Sequence, residues 1–200
     1  HLPKESRRPT VSILLCNYNH AKYLPDSLGA ICNQTRPPDE VIVVDDGSTD
    51  ETVPIIEGFA CQYPFVTLVR NESNRGLMYS IQRALERASS DYIVWASADD
   101  KLLPNFLERN MAILRRHPGA GVCFSCLAVF EDGTNVVREF LGDTETGPAF
   151  DLGREPHFLT PEALRARLAS SYLWMSGNTV LARRDALLAL ARELLDERRR

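Results

Sequence analysis

No apolar run in these 200 residues approaches membrane-spanning length, and His1 to Pro9 contains no apolar core of the signal-peptide kind. A transmembrane segment and a secretory leader are therefore not expected. The polar residues 1–9 read as a disordered tail or an expression remnant. Basic residues are in the minority, 23 Lys and Arg against 27 Asp and Glu, for a formal charge of -4. That balance argues against a nucleic-acid partner, which needs a basic face for its phosphates. Cysteine is scarce, and its number is odd: Cys16, Cys32, Cys61, Cys123 and Cys126. This is no disulfide framework and points to a reducing compartment, hence a cytoplasmic location or the membrane periphery. Cys123 and Cys126 fall in one strand-like run with no second ligand pair, so they read as core thiols rather than a zinc or redox site. Neither a Gly-x-Gly-x-x-Gly nor a Gly-x-x-x-x-Gly-Lys-Ser/Thr loop occurs. Dinucleotide and P-loop readings thus lose their central support.

What is present is an alternation of strand and helix patterns. Val11–Cys16, Glu40–Asp45, Phe65–Val69 and Tyr92–Ala96 are short apolar runs of buried-strand type. Between them lie helical stripes: Leu24, Leu28 and Ile31; then Val53, Ile56 and Phe59, with Ser48 or Thr49 as the expected cap; then Leu77, Ile81, Ala84, Leu85 and Ala88. Repeated βαβ units imply an α/β fold with a mainly parallel sheet flanked by helices. Further on, Pro104 opens a helix with Leu107, Met111 and Leu114, and one long strand is expected from Ala120 to Phe130. Asp-Gly at 132–133 signals a hairpin returning over Asn135–Phe140, and a loop rich in Gly, Pro and acidic residues covers 143–155. Thr160-Pro161 begins another helix, Gly177–Arg183 is a strand, and a last helix carries Leu187 to Leu195. The expected organisation is a single domain over 10–200, with a nucleotide-binding half at 10–103 and a smaller mixed acceptor-side half at 104–200. Its last helix runs into Asp-Glu-Arg-Arg-Arg without a stop signal, as in a C-terminally truncated chain.

Three loop tips carry chemistry. Ser97-Ala-Asp-Asp100 ends the fourth strand, and ligands of open α/β sheets bind at the carboxyl ends of strands. Adjacent carboxylates repel unless a cation neutralises them, and Mn²⁺ or Mg²⁺ shared with diphosphate oxygens does so. The bland reading is a polar turn. Val44-Asp-Asp-Gly-Ser-Thr-Asp50 follows the second strand, with one more Asp than helix capping needs. Cys16-Asn-Tyr-Asn19 follows the first strand and offers an aromatic ring for base stacking and amides for hydrogen bonds.

Taken in order, strand-Asn-Tyr-Asn, strand-Asp-Asp-Gly-Ser-Thr-Asp, Asn74-Arg-Gly76 opening a helix, and strand-x-x-Asp-Asp resemble the family 2 glycosyltransferases over about residues 10–130. Met175–Asn178 through Arg183-Arg184 is similar to that family's acceptor-side region. The resemblance implies a GT-A fold and inverting transfer from a nucleotide-sugar donor, a UDP-sugar above all, to a saccharide, lipid-linked or protein acceptor. It implies Cys16 and Tyr18 against the base, with Tyr18 stacking, and Asp46 reading base or ribose with Asp45 behind it. It places Arg75 towards the diphosphate. Asp99 would touch ribose and metal, and Asp100 would be the main metal ligand, the two forming the catalytic pair. Where many members carry a helix Arg, this chain has Ile81 and Gln82. A second cationic phosphate contact is thus not expected. The general base is expected beyond Arg200, with Glu193, Asp196 and Glu197 as the weaker candidates inside the chain. Trp174 is the better of two tryptophans for sugar stacking, and Trp95 reads as core. Two alternatives remain open at this level: a nucleotide-sugar-binding fragment without a base, and a nucleotidyltransferase.

Overall fold

The structure is a computed structural model that describes residues 7–125, 127–130, 137–141, 160 and 180–188. Four strands come first: β1 (Val11–Asn17), β2 (Glu40–Asp45), β3 (Val66–Arg70) and β4 (Tyr92–Ser97). The helices between them are α1 (Leu24–Cys32), α2 (Thr52–Gln62) and α3 (Leu77–Arg87). Then come α4 (Phe106–Arg116), β5 (Val122–Phe124), β6 (Leu127–Phe130), β7 (Val137–Leu141) and β8 (Val180–Arg183). The chain separates into two compact units, one reaching Cys123 and resuming at Leu181, the other running from Phe124 to Val180.

The first unit is built on a six-stranded sheet of order β3-β2-β1-β4-β8-β5. β1 pairs in parallel with both β2 and β4, β2 pairs in parallel with β3, and β8 runs antiparallel to β4. The buried runs alternate faces, as period-two geometry requires. Ile13, Leu15, Val41 and Val43 face α1, α2 and α4 through Leu24, Leu28, Ile56, Leu107, Met111 and Leu114. Leu14, Ile42, Val44 and Ile93 face α3 through Ala84 and Ala88. α1 and α2 lead the chain outward to β3, whereas α3 returns it across β1 to β4. A right-handed crossover then puts α3 on the opposite face. The direction of winding thus reverses between β1 and β4, the place where an open sheet leaves a crevice beyond its carboxyl ends.

The α/β architecture expected from the sequence is what the structure shows, with four local corrections. The run 120–130 is not one strand: β5 joins the six-stranded sheet, while β6 pairs antiparallel with β7 in a separate two-stranded sheet, and the break falls at residues 125–126. Pro104 and Asn105 form a turn before α4 rather than its first turn. The residue that caps α2 is neither Ser48 nor Thr49. The N-cap position is Glu51, which makes no side-chain cap; Asp50 Oδ1 accepts the Thr52 N–H at 3.1 Å, and Ser48 Oγ takes the Asn19 N–H at 2.9 Å. Leu77, placed on the α3 stripe by its spacing, is 63% exposed. The buried residues of that helix are Ser80 and Ala84, followed by the buried Ala88 at its C-cap. Cys123 is buried as expected and Trp95 packs against the α3-side core, whereas Cys61 is exposed. Cys126, the turn at 131–134, the loop at 143–155, the helix after Thr160, Trp174, the Met175–Asn178 segment and the last helix beyond 188 lie outside the described residues.

Candidate active site

Register decides whether the three loop tips belong together. Cys16 is level with Val44 on β2 and with Ser97 on β4, and Asn17 is level with Asp45. Asn17-Tyr18, Asp45-Asp46 and Ala98-Asp99-Asp100 therefore emerge side by side from three adjacent strands. With strands spaced about 4.8 Å apart, the outer two tips are roughly 10 Å from each other.

The loop after β2 turns inward. Asp45 is fully buried, and its carboxylate accepts the Ser48 N–H at 3.2 Å. Asp46 is 4% exposed. Its Oδ1 accepts Asn71 Nδ2 at 2.6 Å and the Arg75 N–H at 2.9 Å, and its Oδ2 accepts the Gly76 N–H at 2.8 Å. Burial alone would push this carboxyl up. The hydrogen bonds from Arg75, Asn71, Gly76 and Ser80 outweigh it together and hold the group below the usual carboxylate range. Asp46 thus orders the Asn74-Arg-Gly76 turn that opens α3. Asn71, not singled out from the sequence, is the hinge of this network. Its N–H bonds Asp45 O at 2.8 Å, its Nδ2 also reaches Ser80 Oγ at 3.1 Å, and Arg83 Nη1 donates to its Oδ1. The available signal was an amide residue directly after a strand, at the same rim as the aspartates. Arg83 also donates to Arg70 O at 2.8 Å, while Gln82 pairs with Glu86, so these α3 side chains serve the scaffold.

Asp46 anchors a stability prediction. A carboxyl whose folded pKa is depressed contributes stability that is complete above its unfolded value, near 4, and is lost as pH falls through the lower folded value. Asp46→Asn turns an amide N–H towards a main-chain N–H and is expected to cost about 2–3 kcal/mol at neutral pH. It is also expected to flatten the fall in stability between about pH 5 and pH 2. Urea unfolding as a function of pH measures both effects.

The loop after β1 is clamped to the same structure. Asn17 Nδ2 donates to Thr52 Oγ1 at 3.1 Å, and Asn19 Oδ1 accepts the Thr49 N–H at 2.9 Å. These amides, read from the sequence as groups for a ligand, bind the neighbouring loop instead. Asn17 Oδ1 is the one buried side-chain acceptor without a partner among the described residues. Tyr18 stands between the two, 42% exposed. The half-buried Cys16 thiol is pushed up to about 12, first by burial and then by the Asp46 carboxylate.

The third tip projects outward. Ser97 O accepts Ser27 Oγ at 2.9 Å and the Asp100 N–H at 3.4 Å, and Lys101 Nζ pairs with Asp26 at 2.6 Å. The turn is thereby pinned to α1 on both sides of the aspartates. Asp99 is exposed and Asp100 half-buried, which suits a hard-cation site that completes its shell with ligand oxygens. No cluster of three or more His, Cys, Asp or Glu exists among the described residues, so a cation here would draw its remaining ligands from a bound phosphate or water. Arg75 is exposed and lies over the Tyr79 ring at 4.7 Å. The large exposed hydrophobics among the described residues are Tyr18, Leu77, Met78, Tyr79 and Leu103. Tyr18 follows the carboxyl end of β1, and Leu77, Met78 and Tyr79 open α3 beside the turn bonded to Asp46, whereas Leu103 O accepts Gln34 Nε2 at the far end of α1. Glu193, Asp196 and Glu197 lie outside the described residues.

The glycosyl transferase family 2 model matches residues 12–172. The chain is 33% identical over 125 residues to "Putative glycosyltransferase EpsE" of Bacillus subtilis, covering 62% of this chain and 45% of that protein. Among solved structures, the mannosyltransferase PcManGT from Pyrobaculum calidifontis, in complex with GDP-Man and Mn²⁺, is 30% identical with a TM-score of 0.55, over 62% of this chain and 37% of its own. Residues 1–349 of S. aureus TarS in complex with UDP share the fold over 91% of this chain and 49% of that one, at a TM-score of 0.67 and 22% identity. The UDP-GlcNAc complex of the same protein is 26% identical at a TM-score of 0.55, over 64% and 36% of the two chains. This chain spans 45% of EpsE and, among the next two curated relatives, 34% and 50%. The nucleotidyltransferase alternative gains nothing from these matches. With the family model covering most of its length, and a GT-A-type sheet whose three loop tips meet at one rim, the chain belongs to glycosyl transferase family 2.

Proposed function

We propose that this chain is the donor-binding part of an inverting, divalent-metal-assisted glycosyltransferase that moves a sugar from a UDP-linked donor to an acceptor hydroxyl. The observation that carries this reading is the register that brings the tips of β2, β1 and β4 to one rim at the reversal of winding. The exposed Tyr18, and Leu77, Met78 and Tyr79 in the first turn of α3, support it. So do the nucleotide-sugar complexes of PcManGT and TarS, the former with Mn²⁺.

In this reading Tyr18 stacks on the base with Cys16 beside it, Asp46 reads the base or ribose, and Asp45 lies behind it. Asp99 and Asp100 hold Mn²⁺ or Mg²⁺, with Asp99 also against the ribose. When bound, the cation supplies neutralisation of the diphosphate leaving group. Arg75, within the turn that Asp46 orders, faces the same diphosphate. Attack by the acceptor oxygen on C1, opposite the leaving group, requires a carboxylate base, which we place outside residues 1–200. The acceptor, whether saccharide, lipid-linked or protein, is assigned to the side of the chain that follows α4.

Calorimetric titration tests this. UDP binds, Mn²⁺ strengthens the binding by at least about tenfold, and Tyr18→Ala weakens it with or without the ion by roughly 1–3 kcal/mol, the worth of one stacked base. Absence of UDP binding, or binding indifferent to Mn²⁺ and to Tyr18→Ala, refutes the assignment.

A further inference from the structure

We propose that Asn19 is a positioning residue for donor recognition: it does not touch the nucleotide but fixes the backbone that presents the Tyr18 ring, by fastening the β1–α1 loop to the β2–α2 loop. This rests on the reading of Tyr18 as the base-stacking platform.

Asn19 has a backbone φ of 54°, the one positive value among the described residues other than glycine. The left-handed region disfavours most side chains, and asparagine tolerates it because its short amide can bond locally. Here the amide bonds across loops. Asn19 Oδ1 accepts the Thr49 N–H at 2.9 Å and the Thr49 hydroxyl at 3.4 Å, while the Asn19 N–H donates to Ser48 Oγ at 2.9 Å. Two residues on, the Ala21 N–H donates to Asp50 Oδ2 at 3.0 Å. On the other flank, Asn17 Nδ2 donates to Thr52 Oγ1 at 3.1 Å and to Ser48 Oγ at 3.4 Å, and Asn17 O accepts the Asp46 N–H at 2.8 Å. Both neighbours of Tyr18 are thus tied to one partner, the loop that contains Asp45 and Asp46. The tyrosine ring itself is left exposed. The stacking platform and the aspartate loop form one unit, so a ligand meets them at a fixed spacing.

The Asn19 contacts are solvent-exposed. Exposed hydrogen bonds add little to overall stability, whereas freeing a loop adjacent to a binding site raises the cost of ordering it on binding. The effect of removing Asn19 should therefore register in UDP affinity more than in unfolding. Asn19→Gly keeps the backbone angle accessible and deletes the amide ties, and Asn19→Asp keeps the acceptor for the Thr49 N–H. Ser48→Ala removes the acceptor of the Asn19 N–H from the other loop.

The test is calorimetric titration with UDP and Mn²⁺ of the parent chain, Tyr18→Ala, Asn19→Gly, their double mutant, Asn19→Asp and Ser48→Ala, with thermal unfolding of each. Asn19→Gly is expected to weaken UDP binding about tenfold in the parent, and by less than about twofold when Tyr18 is already alanine, the non-additivity of residues that act through one another. Ser48→Ala lowers affinity in the same direction, and Asn19→Asp stays within about threefold of the parent. Unchanged affinity in Asn19→Gly and Ser48→Ala overturns the proposal. So does an equal loss from Asn19→Gly with and without Tyr18, which would mean a direct contact or a general structural role. If Tyr18→Ala itself leaves UDP affinity unchanged, the stacking assignment fails and the role of Asn19 falls with it. That result is distinct from a failure of Asn19 alone.

Discussion

Alanine at Asp100 is expected to remove the Mn²⁺-dependent part of UDP binding, on the order of 100-fold or more, while leaving the unfolding temperature within a few degrees of the parent. The separation of the two effects follows from the local geometry. The turn that holds Asp100 is built by main-chain and neighbouring groups: its own N–H on Ser97 O, Ser27 Oγ on the same oxygen, and Lys101 on Asp26. The carboxylate itself is half-buried beside an exposed Asp99. Two adjacent carboxylates repel unless a cation neutralises them, so removing one weakens the binding of the ion. Titrations with UDP, with and without Mn²⁺, alongside thermal unfolding, measure both sides. Unaltered Mn²⁺-dependent affinity in Asp100→Ala contradicts the metal assignment.

Alanine at Gly47 is expected to act on the fold and the site together. Gly47 has φ 75°, a conformation that costs an alanine roughly 1–2 kcal/mol. Its added Cβ would lie 2.7 Å from Ser73 C and Cα and 2.9 Å from Asn74 N, all main-chain atoms. Relief requires the β3–α3 turn to move, and overpacking of this kind costs about 1–3 kcal/mol more. That turn also supplies the Arg75 and Gly76 N–H groups to Asp46. The unfolding temperature should drop by roughly 10 °C. UDP affinity should fall even where the variant remains folded. A variant with parental unfolding temperature and parental UDP affinity would show that the two loops are not coupled through this contact.

The sheet was legible from sequence because its four parallel strands are continuous apolar runs and its helices carry regular stripes. The rim was legible because polar residues follow those runs abruptly, as Asp45-Asp46 follows Val41–Val44. Legibility stopped where the determining contact is distant in the chain. Asn17 and Asn19 read as free amides, since nothing local shows that Ser48, Thr49 and Thr52 will sit beside them. Asp46 read as a ligand group, and its main visible task, holding the Asn74–Gly76 turn, depends on a crossover through α2 and β3. Leu77 fits the α3 period, but α3 begins at the turn bonded to Asp46, beyond the end of β2, so its first turn has no strand beneath it. The run 120–130 is apolar apart from Ser125, and periodicity alone does not reveal that its two halves pair in different sheets.

A crystal structure of the chain soaked with UDP and Mn²⁺ bears most directly on the convergence of the three loop tips. It should show uracil against the Tyr18 ring and the ion bridging the diphosphate to Asp99 and Asp100. UDP seated elsewhere, for instance in the pocket of about 440 Å³ lined by Arg7, Thr10, Asp39 and Phe65 at the opposite rim of the sheet, would contradict the account.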